Sequence, residues 1–287
     1  MMSGGPAGRH VVLAHALRVL STSRWADHLV LRGSVTLWVW LGVHAREPAD
    51  IDFVVAARAV GIGGPQNRAI DEGTLVDGVV AALVDDPLPG MLAEEIEIDT
   101  MSGYYYGHVE EYPYKPIPRL AGTRLPARLP FGFQEERADQ RLGGTDESWV
   151  TRLLLPYRAG GGGREVLQID LAFGEKLPEE PVMVEVPPDI RIFAATPALS
   201  LAWKIYWLLN DVPARGKDLY DAVLLAERMS VPLDHVCQLL RRLEDRDAIP
   251  PLHPGRVDWD GFRAAYPDVD GDARSWLTRL GMALAAA

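Results

Sequence analysis

The stretch from His28 to Ala56 constrains this chain most. It runs His28-Leu29-Val30-Leu31, then Gly33-Ser34, then Val35 to Leu41, a connection from Gly42 to Ala49, and finally Asp50-Ile51-Asp52-Phe53-Val54-Val55-Ala56. Short apolar runs broken by a glycine-serine pair and a Pro-containing connection predict strand, turn, helix, loop, strand. Side chains alternate faces along a strand, so Asp50 and Asp52 project to the same side. Two carboxylates held that close must raise each other's pKa or recruit positive charge.

The rest of the chain surrounds this unit with both element types. His10 to Leu20 has a loosely helical period, and Ile70 to Leu83 predicts a helix stopped by Asp85-Asp86-Pro87. A short strand is expected over Glu94 to Ile98. Trp149 to Tyr157 and Glu165 to Phe173 predict a hairpin with a glycine-rich tip, Ala159 to Gly163, and the second strand carries Asp170 among apolar neighbours. The Pro-rich segment Glu179 to Pro188 is expected to join two parts of the protein. Beyond it the pattern turns helical: Thr196-Pro197 caps a helix over Ala198 to Leu209 with Lys204 at its middle. Further helices are expected over Lys217 to Met229, Pro232 to Leu243, Trp259 to Ala265 and Asp272 to Ala285. The expected architecture is an α/β (α+β) chain, with a mixed sheet flanked by helices over 1–188 and a helical C-terminal domain over 189–287.

Composition narrows the function. With 24% charged and 48% hydrophobic residues, the chain is neither disordered nor fibrous. Its formal net charge of −11 rules out a broad cationic surface, so a nucleic-acid partner must be gripped locally. The one cysteine, Cys237, excludes an internal disulfide framework and a Cys-based zinc site, as expected in a reducing cytosol. Met1 to Gly8 lacks the apolar core of a signal peptide. The longest apolar run, Leu29 to Val43, is broken by Arg32, Gly33 and Ser34 and is shorter than the roughly 20 residues of a bilayer span. A cytoplasmic protein with no membrane anchor is the expectation.

Asp50, Asp52 and Asp170 on adjacent strands would make a site that needs a cation. Magnesium suits it, being a hard ion that takes one or two carboxylates together with phosphate oxygens. Gly33-Ser34 at a strand-to-helix turn offers backbone N–H groups and a hydroxyl to phosphate. Together these features suggest a nucleoside triphosphate and in-line displacement at phosphorus.

The motif set Leu31-Arg32-Gly33-Ser34, fifteen residues, then Asp50-Ile51-Asp52-Phe53, followed by a strand aspartate and a lysine-bearing helix ahead of Lys217-Asp218-Leu219-Tyr220-Asp221, resembles the AbiEii toxin nucleotidyltransferases. The resemblance spans roughly residues 24 to 230 and places the chain near the DNA polymerase β-like nucleotidyltransferase superfamily. Members of that family serve as toxins of type IV toxin–antitoxin and abortive-infection systems, and related toxins attach nucleotides to the 3′ end of tRNA. The resemblance implies that Gly33 and Ser34 form the phosphate turn and that Asp50 and Asp52 are metal ligands. Asp170 would be the third carboxylate and the base, and Lys204 a triphosphate contact. Lys217, Asp218 and Asp221 match the last motif, and Arg215 stands close enough in sequence to aid phosphate binding. Arg32 stands where lysine is frequent, and the Gly33–Asp50 interval is longer than in many relatives.

Other features have plainer explanations. Tyr104-Tyr105-Tyr106, Tyr112 and Tyr114 could stack on bases, although an ordinary half-buried edge strand accounts for them better. Arg119, Arg124, Arg128, Arg137 and Arg141, within the 104–145 insertion, are the candidates for an RNA groove. Gly61-Ile62-Gly63-Gly64 and Gly160 to Gly163 lack the context of a nucleotide loop. Asp218 and Asp221 could equally be charges favoured near a helix N-terminus. Two other functions stay open: nucleotidylation of a small cationic molecule such as an aminoglycoside, and a catalytically silent nucleotide- or partner-binding domain. A neighbouring reading frame for an antitoxin would favour the toxin.

Overall fold

A computed structural model describes residues 6–56, 71–102, 148–160, 162–244 and 251–286. The tyrosine and arginine residues of the 104–145 insertion and the Gly61–Gly64 run lie outside the described residues.

The sheet is assembled around the stretch that the sequence singles out. β1 (Leu29–Arg32) leads through Gly33 into α2 (Gly33–Leu41), and β2 (Asp50–Val55) returns antiparallel to β1. β4 (Trp149–Arg158) and β5 (Arg164–Phe173) form the expected hairpin, with β5 parallel to β2. β3 (Glu97–Ser102) adds to β4, while β7 (Ile190–Ala194) lies parallel to β1 and pairs with β6 (Val182–Val186) at the other edge. The strand order is β3-β4-β5-β2-β1-β7-β6, a mixed seven-stranded sheet among the described residues.

One face of this sheet is sealed by α1 (Pro6–Thr22) and α3 (Glu72–Asp85). Leu13, Leu17 and Leu20 of α1 and Leu75, Val79 and Leu83 of α3 bury against Leu29, Leu31, Ile51, Phe53, Ile169 and Leu171 of the central strands. Ile51 and Phe53 point here, so the alternation along β2 sends Asp50 and Asp52 to the opposite face. That face meets α4 (Pro197–Asn210) and α5 (Gly216–Met229), whose apolar sides pack on Val30, Val54, Leu37 and Leu41. Thr196 caps α4 as expected, its Oγ1 accepting from the Leu199 N–H at 3.0 Å. α6 (Leu233–Glu244), α7 (Trp259–Ala265) and α8 (Ala273–Ala286) complete the helical layer, α8 against α5 through Trp276, Leu280 and Leu284.

Several expectations are corrected. The 179–188 stretch contains β6, whose five register pairs with β7 make it an edge strand of the sheet. Its prolines flank the paired residues and therefore leave the ladder intact. α3 begins at Glu72, two residues later than expected, because Asp71 is its N-cap and accepts from the Thr74 N–H at 2.9 Å. The strand expected over 94–98 runs instead from Glu97 to Ser102, preceded by a short helical turn over Ala93–Glu95.

Candidate active site

Strand register aligns one charged residue from each of five strands. Asp99 of β3 is opposite Arg152 of β4, Arg152 opposite Asp170 of β5, Asp170 opposite Asp52 of β2, and Asp52 opposite Arg32 of β1. Paired residues share a face, so this row crosses the sheet on the side of α4 and α5. In sequence its members are separated by tens of residues; only the ladder makes them neighbours.

At the centre of the row the two aspartates are juxtaposed without a cation between them. Asp50, one pleat before Asp52, lies on the same face, and its Oδ1 accepts from the Ser34 hydroxyl at 3.0 Å. Gly33 begins α2 with φ of +71°, and a Cβ built there would stand 2.1 Å from Asp52 Oδ2. Glycine is needed for both reasons: the left-handed conformation and the seat of the Asp52 carboxylate against the bare Cα. Burial, and next the charge of Asp50 with that of Asp170 behind it, pushes Asp52 up to about 7, against the pull of Arg32 and Lys204. A carboxylate so placed gains from an approaching cation.

The flanking members of the row are neutralised. Arg152 forks onto Asp170, Nε to Oδ1 at 2.9 Å and Nη2 to Oδ2 at 2.8 Å, and Gln168 Nε2 donates to the same Oδ2 at 3.1 Å. Arg32 pairs with Glu175 and lies over the rings of Trp203 and Trp207, at 5.6 and 5.8 Å from their centroids. Among the described residues no three His, Cys, Asp or Glu side chains form a ready-made metal cluster. Asp50 and Asp52 by themselves fit magnesium, which needs only one or two carboxylates when phosphate oxygens complete its shell. Asp170, both oxygens taken by Arg152, is a poorer ligand in this arrangement.

Lys204 lies within the adjoining helical layer. Its Nζ is 2.6 Å from Asp218 Oδ1 and 3.0 Å from Asp221 Oδ2, and it stands 5.0 Å from the centroid of the Trp207 ring that Arg32 also covers. Arg46, from the connection between α2 and β2, clasps Asp221 with two bonds of 2.9 Å. Burial pulls the Lys204 ammonium down, but the charges of Asp218 and Asp221 outweigh it and its pKa is raised. Asp221 is lowered because Lys204 and Arg46 overcome the penalty of its burial. Of the remaining expected residues, Arg215 and Lys217 gather near Asp211: Arg215 Nε is 4.0 Å from Asp211 Oδ2, and both cations pull on a carboxyl that burial pushes up to about 6.

The sequence expectations thus fall into two constellations. Gly33, Ser34, Asp50, Asp52 and Asp170 come together on the sheet face, while Lys204, Asp218 and Asp221 form a buried ion cluster beside it. Sequence reasoning missed Arg46, Arg152, Glu175 and Asp211 as partners. Arg152 was findable in principle, since hairpin pairing with Asp170 follows once the turn is placed. Arg46, 175 positions from Asp221, carried no signal.

A mixed sheet bearing a Gly-Ser turn that abuts an Asp-x-Asp strand, with helices over the same face, has the architecture of an α+β nucleotidyltransferase. The sequence matches the nucleotidyl transferase AbiEii toxin family of type IV toxin–antitoxin systems over residues 15–286. The chain belongs to that family. No curated protein matches it.

Proposed function

We propose that this protein is a magnesium-dependent nucleotidyltransferase that moves NMP from an NTP to a hydroxyl of RNA, such as the 3′ end of tRNA, as the toxin partner of an antitoxin. The observation carrying this reading is the Asp50–Asp52 pair seated against the Gly33 turn, with Asp52 pushed up to about 7 by burial and by its neighbour. Asp50 and Asp52 would hold the magnesium ion, whose charge would offset theirs and that of the triphosphate. The N–H groups at the start of α2 and the Ser34 hydroxyl would orient phosphate.

In the reaction the acceptor oxygen bonds to the α-phosphorus as the bond to the β-phosphate bridging oxygen breaks, and pyrophosphate leaves. Asp170 takes the proton from the acceptor hydroxyl, with Arg152 holding that carboxylate in orientation. Lys204 supplies positive charge to the triphosphate. Arg215 and Lys217, at the start of α5, add charge toward the departing phosphates.

Incubation with each α-labelled NTP, magnesium and total tRNA, beside an Asp50→Ala/Asp52→Ala variant, tests this. Label on RNA that disappears in the variant is the expected result. Label on a small cationic molecule or a protein instead would replace the acceptor, and absence of magnesium-dependent NTP binding would overturn the transferase.

A further inference from the structure

The buried cluster contains one cation beyond the expected motif set. Lys204 alone could pair with Asp218 or Asp221, yet Arg46 adds a guanidinium whose fork occupies both oxygens of Asp221. The side chains of Lys204, Asp218, Asp221 and Arg46 are 6%, 5%, 1% and 8% exposed, so water cannot stand in for a missing partner. Two cations face two anions, but their attachments differ. Arg46 is planar and bonded to one carboxylate at two points. Lys204 is a compact charge on a flexible stem, spread over two carboxylates at 2.6 and 3.0 Å.

That asymmetry decides which cation can move. A buried carboxylate stripped of its partner is costly, so an ammonium that was the sole partner of Asp221 would be pinned there. With Arg46 in place, Asp221 stays doubly bonded when Lys204 leaves it, while Lys204 keeps its 2.6 Å bond to Asp218. The direction it can turn is also defined. Lys204 and Arg32 share the Trp207 ring, and Arg32 is the register partner of Asp52, so the ammonium lies on the side of the sheet that carries the Asp50–Asp52 pair. The connection that carries Arg46 ends, four residues later, at Asp50.

We infer that Arg46 is a positioning residue of the nucleotide site: by holding both oxygens of Asp221 it releases Lys204 to exchange that carboxylate for a triphosphate oxygen. This rests on the nucleotidyltransferase reading above and adds a residue to it. Arg46 itself touches neither nucleotide nor acceptor.

The test is a double-mutant cycle on binding of the four NTPs, each with magnesium, measured by calorimetry at a temperature below the melting midpoint of every variant. Arg46→Gln is expected to weaken NTP binding about tenfold, because Lys204 becomes the only cation on Asp221. Arg46→Gln/Asp221→Asn is expected to recover to within about threefold of the parent, since the uncharged amide no longer retains the ammonium. Unchanged binding in Arg46→Gln, with only a lowered melting point, would overturn the inference by showing a purely structural tether. A double variant as weak as Arg46→Gln would overturn it too, by showing that Arg46 meets the nucleotide directly. If Arg46→Gln does not fold, Arg46→Lys takes its place: it keeps the charge but loses the fork, and a partial loss rescued by Asp221→Asn is expected. A parent protein that binds no NTP would sink the transferase reading and this inference with it, whereas parent binding insensitive to Arg46 sinks the inference alone.

Discussion

The sheet face and the helical layer each gather aspartates and basic residues, and they treat them oppositely. Between α4 and α5, Asp218 and Asp221 are matched by Lys204 and Arg46, Asp218 Oδ1 and both oxygens of Asp221 lie within 3.0 Å of a cation, and the group is almost wholly buried. On the sheet, Asp50 and Asp52 sit half-buried with a hydroxyl and a glycine Cα as their immediate company, while the nearby arginines are engaged by Asp170 and Glu175. Balanced charge fixes helices in place. Unbalanced charge of the same residue type stores a demand for a cation, which is the property a phosphoryl-transfer site requires.

The contrast predicts opposite stability responses to loss of an aspartate. Asp221→Ala leaves two buried cations with one carboxylate and is expected to cost about 3–5 kcal/mol in denaturant unfolding at neutral pH. Asp52→Asn should do the reverse. Its pKa of about 7 in the folded protein lies above the ordinary 3.8, so the native state binds the extra proton. Stability of the metal-free protein should therefore fall as pH rises from about 4 to about 7 and level off above that. In Asp52→Asn the part of that slope between about pH 6 and 7 should vanish, leaving the part that Asp211 contributes below about pH 6, and the variant should be the more stable protein at pH 8 by at most about 4 kcal/mol. A slope that persists between about pH 6 and 8 in Asp52→Asn would show that the crowding on the sheet face is not what strains this carboxyl.

Two smaller effects sharpen the comparison. Magnesium at a hundredfold excess over its dissociation constant should stabilise the parent by about 2.7 kcal/mol and leave Asp50→Asn/Asp52→Asn unmoved, as thermal melts would read. Equal stabilisation of both proteins would place the ion elsewhere. Gly33→Ala should cost about 1–2 kcal/mol for its left-handed backbone, and the added methyl should push the Asp52 carboxylate aside. Nucleotidyl transfer should accordingly fall further in Gly33→Ala than its modest loss of stability explains. Transfer at the parent's rate would mean that the seat of Asp52 does not matter to the reaction.

Much of the sheet was legible because its signals are local. The Gly33-Ser34 turn, the alternation that sends Ile51 and Phe53 one way and Asp50 and Asp52 the other, and the hairpin from Trp149 to Phe173 all follow from periodicity and turn chemistry. The Pro-rich stretch around β6 misled because proline density is a composition signal, while pairing depends on which N–H groups the ladder uses.

By itself, the order of residues determined that two carboxylates share a strand face beside a glycine turn, and that a lysine-bearing helix follows. Which cation neutralises which anion was decided only by the tertiary structure. Arg152 reaches Asp170 through strand register, and Arg46 reaches Asp221 across 175 positions through the docking of α5 beneath the α2–β2 connection. Charge pairing depends on distance and burial, and neither is written in a linear sequence.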